Sequence, residues 1–166
     1  MNKGLLALAF GTLGLGITEF VMMGILTDVA TNFNIDINTA GNLISAYALG
    51  VCFGAPILIL ARKNPLKHIL LALVSIMVVG NIAATFAPNY ETLLIARFFS
   101  GLPHGAYFGV GSIVASSLAP EGKKSLAVAI MIAGMTVANL IGVPLGTLLS
   151  LHFSWRIIFF FVAIWG

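Results

Sequence analysis

Long apolar stretches with almost no charge are the feature that most constrains this chain. A helix needs about 20 apolar residues to cross the ~30 Å hydrocarbon core of a bilayer, and five stretches of the sequence reach that length. Only 8% of the 166 residues are charged, whereas a soluble domain carries about 25%. We therefore expect an all-α polytopic membrane protein that is surrounded by lipid.

Turn-forming or charged residues separate these stretches. They predict membrane-spanning helices over residues 5–29, 39–61, 68–87, 92–118 and 125–151. A further apolar run begins at residue 157, but its ten residues would reach only about 15 Å as a helix, half the thickness of a membrane. We expect a truncated sixth helix, either in a fragment of a longer protein or in the product of a shortened gene.

The basic residues predict the orientation of the helices, because Lys and Arg prefer cytoplasmic loops. If the helices alternate in direction, six cations fall on one side of the membrane: Lys3, Arg62, Lys63, Lys67, Lys123 and Lys124. The loops on the other side contain one cation, Arg156. The N-terminus is therefore predicted to be cytoplasmic.

Composition and spacing argue against several classes of function. A net charge of +3, from eight basic and five acidic residues, is too small for a nucleic-acid partner. No Cys/His cluster has the spacing of a metal site, and no nucleophile–base pair stands out, so neither an enzyme nor a metal or cofactor site is expected. Cys52 is expected to be an inert thiol buried among apolar residues.

The predicted helices form two groups of three. The first three begin near residues 5, 39 and 68, and the next three near 92, 125 and 157, an offset of about 90 residues. Because three is an odd number, the second group is inverted in the membrane. Inverted three-helix repeats build several secondary transporters, although any polytopic protein has helices of similar length.

Three ionisable residues lie inside the predicted spans, where they are costly in lipid. Arg97 and His104 are seven residues apart and share one face of the fourth span. A rise of 1.5 Å per residue places Arg97 about 8 Å, Glu19 about 15 Å and His104 about 18 Å below the outer surface. We expect all three to face one aqueous cavity, where Glu19 gains and loses a proton. Alternatives are a headgroup anchor for Arg97, a helix-packing role for Glu19 and an uncharged interior imidazole for His104.

Amide and small residues suggest further features. Asn42, Asn81 and Asn139 are candidates for lining a substrate cavity, although asparagine also joins membrane helices by hydrogen bonds. Small residues recur at four-residue intervals and predict close helix packing. They are Ala46, Gly50 and Gly54 in the second span, Gly101, Gly105 and Gly109 in the fourth, and Gly134, Ala138, Gly142 and Gly146, with Pro144, in the fifth.

These motifs resemble those of the major facilitator superfamily over the whole chain. The segment RFFSG at 97–101 is similar to its fourth-helix motif, which is implicated in proton transfer, and GVPLG at 142–146 to its fifth-helix antiporter motif. The segments TEF at 18–20, GAP at 54–56, LPHGA at 102–106 and MTVAN at 135–139 resemble the bacterial arabinose-efflux-permease-like branch. The resemblance implies the N-terminal six-helix half of a twelve-helix fold, without its C-terminal half.

Two features depart from the superfamily pattern. The loop after the second helix has Leu58 where an Asp is usual, although Arg62, Lys63 and Lys67 keep its basic end. In the fifth-helix motif, Pro144 comes two residues after Gly142 instead of directly after a glycine. The basic loop is therefore expected to act as a cytoplasmic anchor and not as a charge relay.

The resemblance implies a proton-coupled exporter of small molecules in a bacterial inner membrane. Sugars or sugar derivatives are the cargo that the branch favours, and the implied mechanism is alternating access. One alternative is a multidrug exporter of lipophilic compounds. Another is a truncated, non-transporting remnant or a membrane scaffold.

Overall fold

The computed structural model describes residues 2–61 and 63–166. Arg62, which the sequence assigns to the cytoplasmic loop, lies outside the described residues, whereas Lys63 and Lys67 are exposed. Within the described ranges the secondary structure is entirely helical. The prediction of an all-α protein is confirmed.

The described residues form seven α-helices and one π-helical turn. They are α1 (Lys3–Phe33), α2 (Ile37–Ala61), α3 (Leu66–Thr85), α4 (Tyr90–Leu118), α5 (Lys124–Val137), the π-helical turn (Ala138–Gly142), α6 (Val143–His152) and α7 (Arg156–Trp165). Among the described residues, three helical stretches are long and apolar enough to cross a membrane: α1, α3 and the continuous stretch Lys124–His152. The helices α2 and α4, with 25 and 29 residues, also exceed the ~20 residues of a span.

Polar caps fix the helix ends that lie outside the apolar stretches. The side chain of Asn89 accepts a hydrogen bond from the backbone N–H of Thr92 at 2.9 Å and so caps α4. Asn34 ends α1 in the left-handed conformation, with φ of 54°, which asparagine tolerates better than most residues. Asp36 accepts from the backbone N–H groups of Asn38 and Thr39, each at 3.0 Å. The hydrogen bond from the Thr39 hydroxyl lowers the pKa of Asp36 below its ordinary value.

The π-helical turn ends two residues before Pro144. A proline in a helix interior lacks an N–H donor, and its ring crowds the carbonyl group four residues earlier. That carbonyl belongs to Leu140, inside the π-helical turn. The wider turn gives the ring room, so α5 and α6 remain one continuous helical stretch.

Helix α1 is the centre of the bundle, because it packs against every other helix. The most extensive single contact joins α2 and α4, followed by those of α3 with α4 and of α1 with α5. Glycines allow the backbones of α2 and α4 to approach closely: a Cβ at Gly50 would overlap the Phe98 carbonyl oxygen, and one at Gly101 the Tyr47 carbonyl oxygen. This is the close packing that the four-residue spacing predicts.

Two apolar clusters occupy opposite ends of the bundle interior, and a polar layer lies between them. Along α1 the first cluster ends at Leu15 and the second begins at Val21. Along α3 the corresponding limits are Met77 and Ala84. Five buried polar residues fall in the gap, whereas Thr12 and Thr85 lie level with the two clusters. The five are Thr18, Asn81, Arg97, Ser100 and His104. This layer contains the candidate site.

At the start of α7, Arg156 connects three parts of the chain. Its Nη1 atom donates to Asn32 Oδ1 and its Nη2 atom to the Ala87 carbonyl oxygen, both at 2.9 Å. The guanidinium carbon also lies 4.3 Å from the centroid of the Trp155 ring. The ends of α1 and α3 are thereby joined to the start of α7.

The expectation that Cys52 is buried is wrong, because its side chain is exposed. Helix α2 turns its small residues Ala46, Gly50 and Gly54 toward the interior. Cys52 lies on the opposite flank of the same helix.

The α2–α4 contact predicts different effects for two glycines of one helix. Gly50→Ala brings a methyl group against the Phe98 carbonyl oxygen and should lower the free energy of unfolding by about 1–3 kcal/mol. Gly41→Ala is the matched control, since a Cβ there meets nothing within 4 Å. Equilibrium unfolding in mixed micelles measures both, and equal stabilities of the two variants would contradict the described packing.

Candidate functional site

The guanidinium group of Arg97 lies in the middle of the bundle and is completely buried. Its Nη1 atom donates to the Thr18 carbonyl oxygen of α1 at 2.7 Å. Its Cζ atom lies 4.4 Å from the centroid of the Tyr47 ring of α2 and 5.8 Å from that of the Phe159 ring of α7. Arg97 therefore contacts three other helices and does not extend to the headgroups as an anchor would.

Thr18 and Asn81 extend this polar layer to α3. The Asn81 Nδ2 atom donates to Thr18 Oγ1 at 3.3 Å and to the Met77 carbonyl oxygen at 2.8 Å. The Thr18 hydroxyl donates to the Gly14 carbonyl oxygen one turn earlier in α1. Thr18 thus accepts from Arg97 through its backbone and from Asn81 through its side chain.

Two side chains lie close to one ring nitrogen of His104. The Tyr47 hydroxyl lies 2.9 Å from Nδ1, within hydrogen-bond distance, and Glu19 Oε2 lies 3.6 Å from the same atom. The ring of Phe108 stacks on the imidazole with centroids 5.2 Å apart. Both Tyr47 and His104 are buried.

Glu19 is the part of this cluster that opens to the surroundings. Its side chain is 29% exposed, against 7% for that of His104. Glu19 lies next to His104, whereas Arg97 binds the Thr18 carbonyl group. The cluster is therefore a row that begins at a partly exposed carboxyl group and ends at a buried guanidinium group.

The three candidate amides occupy different environments. Asn81 is completely buried, so it joins α1 to α3 and does not line an open cavity. Asn42 and Asn139 are exposed.

A comparison with known protein families shows which family the chain belongs to. The sequence model described as Major Facilitator Superfamily matches residues 8–166. The chain belongs to the Major Facilitator Superfamily. Relatives with similar sequence include the transporter AraJ of Escherichia coli K12, which is 54% identical over 167 residues, covering 100% of this chain and 42% of AraJ.

One further relative is named for a drug resistance and another for an exported class of compound. The chloramphenicol resistance protein of Streptomyces lividans is 32% identical over 165 residues, covering 99% of this chain and 42% of that protein. A probable sugar efflux transporter of Mannheimia succiniciproducens is 28% identical over 163 residues, covering 97% of this chain and 41% of that protein. The chain thus spans about two-fifths of the length of the curated relatives that it matches.

The glycines of the two superfamily motifs and Gly134 of α5 lie in different surroundings. A Cβ at Gly101 would overlap α2, whereas one at Gly134 would overlap the Ala9 carbonyl oxygen and one at Gly146 the Val21 side chain, both in α1. Gly142 has ordinary room, because a Cβ there would lie 3.5 Å from Ile17 Cγ1, and Pro144 is exposed. Close approach thus explains three of these glycines, while Gly142 and Pro144 belong to the region of the π-helical turn.

Tyr47 and Thr18 belong to the cluster although no charge in the sequence marks them. Tyr47 follows Ala46, the first member of the small-residue series in α2, and that series faces Gly101 and its neighbours in α4. The pairing of the two glycine series therefore contained a signal that residue 47 lies opposite Arg97 and His104. For Thr18 the sequence offered only its place in the segment TEF at 18–20, since its contact with Arg97 is made by a backbone atom.

The hydroxyl of Thr18 is predicted to contribute to stability. Thr18→Val removes the acceptor for Asn81 and should lower the free energy of unfolding by about 0.5–1.5 kcal/mol. Thr31→Val in the same helix is the control, since that exposed hydroxyl donates only to the Thr27 carbonyl oxygen one turn earlier. Unfolding in mixed micelles should separate the two variants, and a Thr18→Val protein as stable as the control would contradict the described contact.

Proposed function

We propose that residues 1–166 form the N-terminal bundle of a proton-coupled exporter that works by alternating access. The observation that carries this proposal is the juxtaposition of Glu19 and His104, with 3.6 Å between Oε2 and Nδ1. One member of this pair is partly exposed and the other is buried. A proton that enters at Glu19 thus meets a second protonatable group inside the bundle.

In this proposal, protonation of Glu19 favours one state of the transporter and substrate binding favours the other. Burial raises the energy of a carboxylate, whereas a nearby guanidinium lowers it. The two opposing effects make the proton affinity of Glu19 sensitive to small movements of the surrounding helices. A group of this kind can couple a proton gradient to a conformational change.

The proposal includes a C-terminal half as a partner in the membrane. Two findings support the presence of such a partner. The chain belongs to the superfamily, and it spans only about two-fifths of the length of its relatives. Glu19 would line one wall of a central cavity, with the buried Arg97 and His104 behind it and the exposed Asn42 and Asn139 as candidate substrate contacts. The partner half would supply the opposite wall.

The proposed location is a bacterial plasma membrane, with the N-terminus in the cytoplasm. The relatives come from bacteria, which supports the assignment to a bacterial plasma membrane. The excess of Lys and Arg in alternate loops supports the orientation of the N-terminus. The exposed Lys63 and Lys67 would then act as part of a cytoplasmic anchor.

Small sugars or sugar derivatives are the proposed cargo, and lipophilic drugs are the second candidate. Similarity to a probable sugar efflux transporter supports the first, and similarity to a chloramphenicol resistance protein supports the second. The third candidate is a remnant or scaffold that transports neither compound.

The cargo is tested with two compounds under the same proton gradient. Everted membrane vesicles with an acidic interior should accumulate L-arabinose and not chloramphenicol if the cargo is a sugar. Accumulation of chloramphenicol alone would replace the sugar proposal with the drug proposal. If neither this chain nor its continuation through the downstream reading frame moved either compound, the remnant or scaffold proposal would hold.

The coupling role is tested by removing the charge of Glu19. In the same vesicles, Glu19→Gln should reduce gradient-driven accumulation at least about tenfold, a typical size for coupling between two sites. Exchange of labelled for unlabelled substrate without a gradient should persist. Glu91→Gln, at an exposed acid in the first turn of α4, is the control. Unchanged accumulation in Glu19→Gln would exclude this residue as the coupling group.

A further inference from the structure

The Nδ1 atom of His104 lies between two groups that cannot both bind it in the same way. The Tyr47 hydroxyl at 2.9 Å can donate to a lone pair on Nδ1. A Glu19 carboxylate, at 3.6 Å, can only accept a proton that Nδ1 carries. A lone pair on Nδ1 can accept from Tyr47 but not from the carboxylate, whereas an N–H on Nδ1 can donate to the carboxylate, which is a stronger acceptor than the phenol oxygen.

The Tyr47 hydroxyl has a second acceptor when Nδ1 is not available. It lies 3.4 Å from the Leu15 carbonyl oxygen of α1. Leu15 is one helical turn before Glu19, so this acceptor belongs to the same part of α1 as the carboxyl group. A small movement of the hydroxyl thus transfers its hydrogen bond from α4 to α1.

The ring of Tyr47 adds a connection to Arg97. Its face lies under the guanidinium group, at 4.4 Å, and the residue is buried. The charged and titratable groups at this point are Glu19 from α1, Tyr47 from α2 and Arg97 with His104 from α4, while α3 contributes the amide of Asn81 through Thr18. Tyr47 touches both the imidazole and the guanidinium.

We infer that Tyr47 is a positioning residue that transmits the proton state of His104 to α1 and Arg97. This inference rests on the proposed function and adds the group through which protonation changes the packing. When Nδ1 takes a proton from water on the open side of Glu19, the new N–H donates to the Glu19 carboxylate and the Tyr47 hydroxyl turns to the Leu15 carbonyl oxygen. When that proton returns to water, the Nδ1 lone pair again accepts from Tyr47.

The inference is tested by titrating His104 without any transport. The full-length protein is labelled with ¹⁵N-histidine, and His104 is assigned by the signal that is lost in His104→Gln. Tyr47→Phe keeps the ring under Arg97 but loses the hydroxyl bond that favours the lone-pair form. The proton affinity of His104 should therefore rise about three- to tenfold, the effect of one hydrogen bond.

Tyr107→Phe is the matched control. It removes another buried hydroxyl, which lies 3.4 Å from the Leu8 carbonyl oxygen of α1. No change in the His104 titration is expected in this variant. Equal titration midpoints in the unaltered protein and Tyr47→Phe would overturn the inference, as would an equal shift in Tyr107→Phe.

A measurement on the unaltered protein does not depend on the folding of any variant. With tyrosine labelled at ¹³Cζ, the signal of Tyr47 should change with the same midpoint as His104, while those of Tyr90 and Tyr107 should not. A Tyr47 signal that does not follow His104 would overturn the inference. These experiments report protonation alone, so a Glu19→Gln protein that still couples transport would refute the proposed function without altering their outcome.

Discussion

The burial of the Arg97 guanidinium group is the interaction on which the rest of this bundle depends. Removing such an ion from water costs several kcal/mol, so the surrounding helices must compensate for it. A charge-assisted hydrogen bond to the Thr18 carbonyl oxygen contributes about 1.5–3 kcal/mol, and a desolvated cation–π contact with Tyr47 contributes about 2 kcal/mol. Because the compensating groups come from α1 and α2, the charge specifies how these helices are rotated against α4.

This arrangement explains why small residues occur where they do. The guanidinium group can reach α1 and α2 only if α4 lies close to both, and the overlap that a side chain at Gly50 or Gly101 would cause shows how close α2 and α4 are. At each end of the bundle an apolar cluster encloses the polar layer. A low-dielectric surrounding strengthens every electrostatic contact in that layer, so the movement of one proton there changes the energies of its neighbours.

Much of the fold could be predicted from the sequence, because a bilayer allows few structures other than helices for long apolar stretches. The seven-residue spacing also placed Arg97 and His104 on one face, and both side chains are buried. The partners of Arg97 could not be predicted, since a backbone carbonyl and an aromatic face carry no charge in the sequence. The error at Cys52 has the same origin: an apolar neighbourhood does not state which side of α2 faces the interior.

The central claim is that substrate and proton exclude each other through Glu19. The most direct test is to count the protons released when the full-length protein, in weakly buffered detergent solution with a pH-indicator dye, binds the compound that it exports, L-arabinose or chloramphenicol. The account predicts proton release from the unaltered protein and none from Glu19→Gln with binding retained. Equal release from both proteins would contradict it.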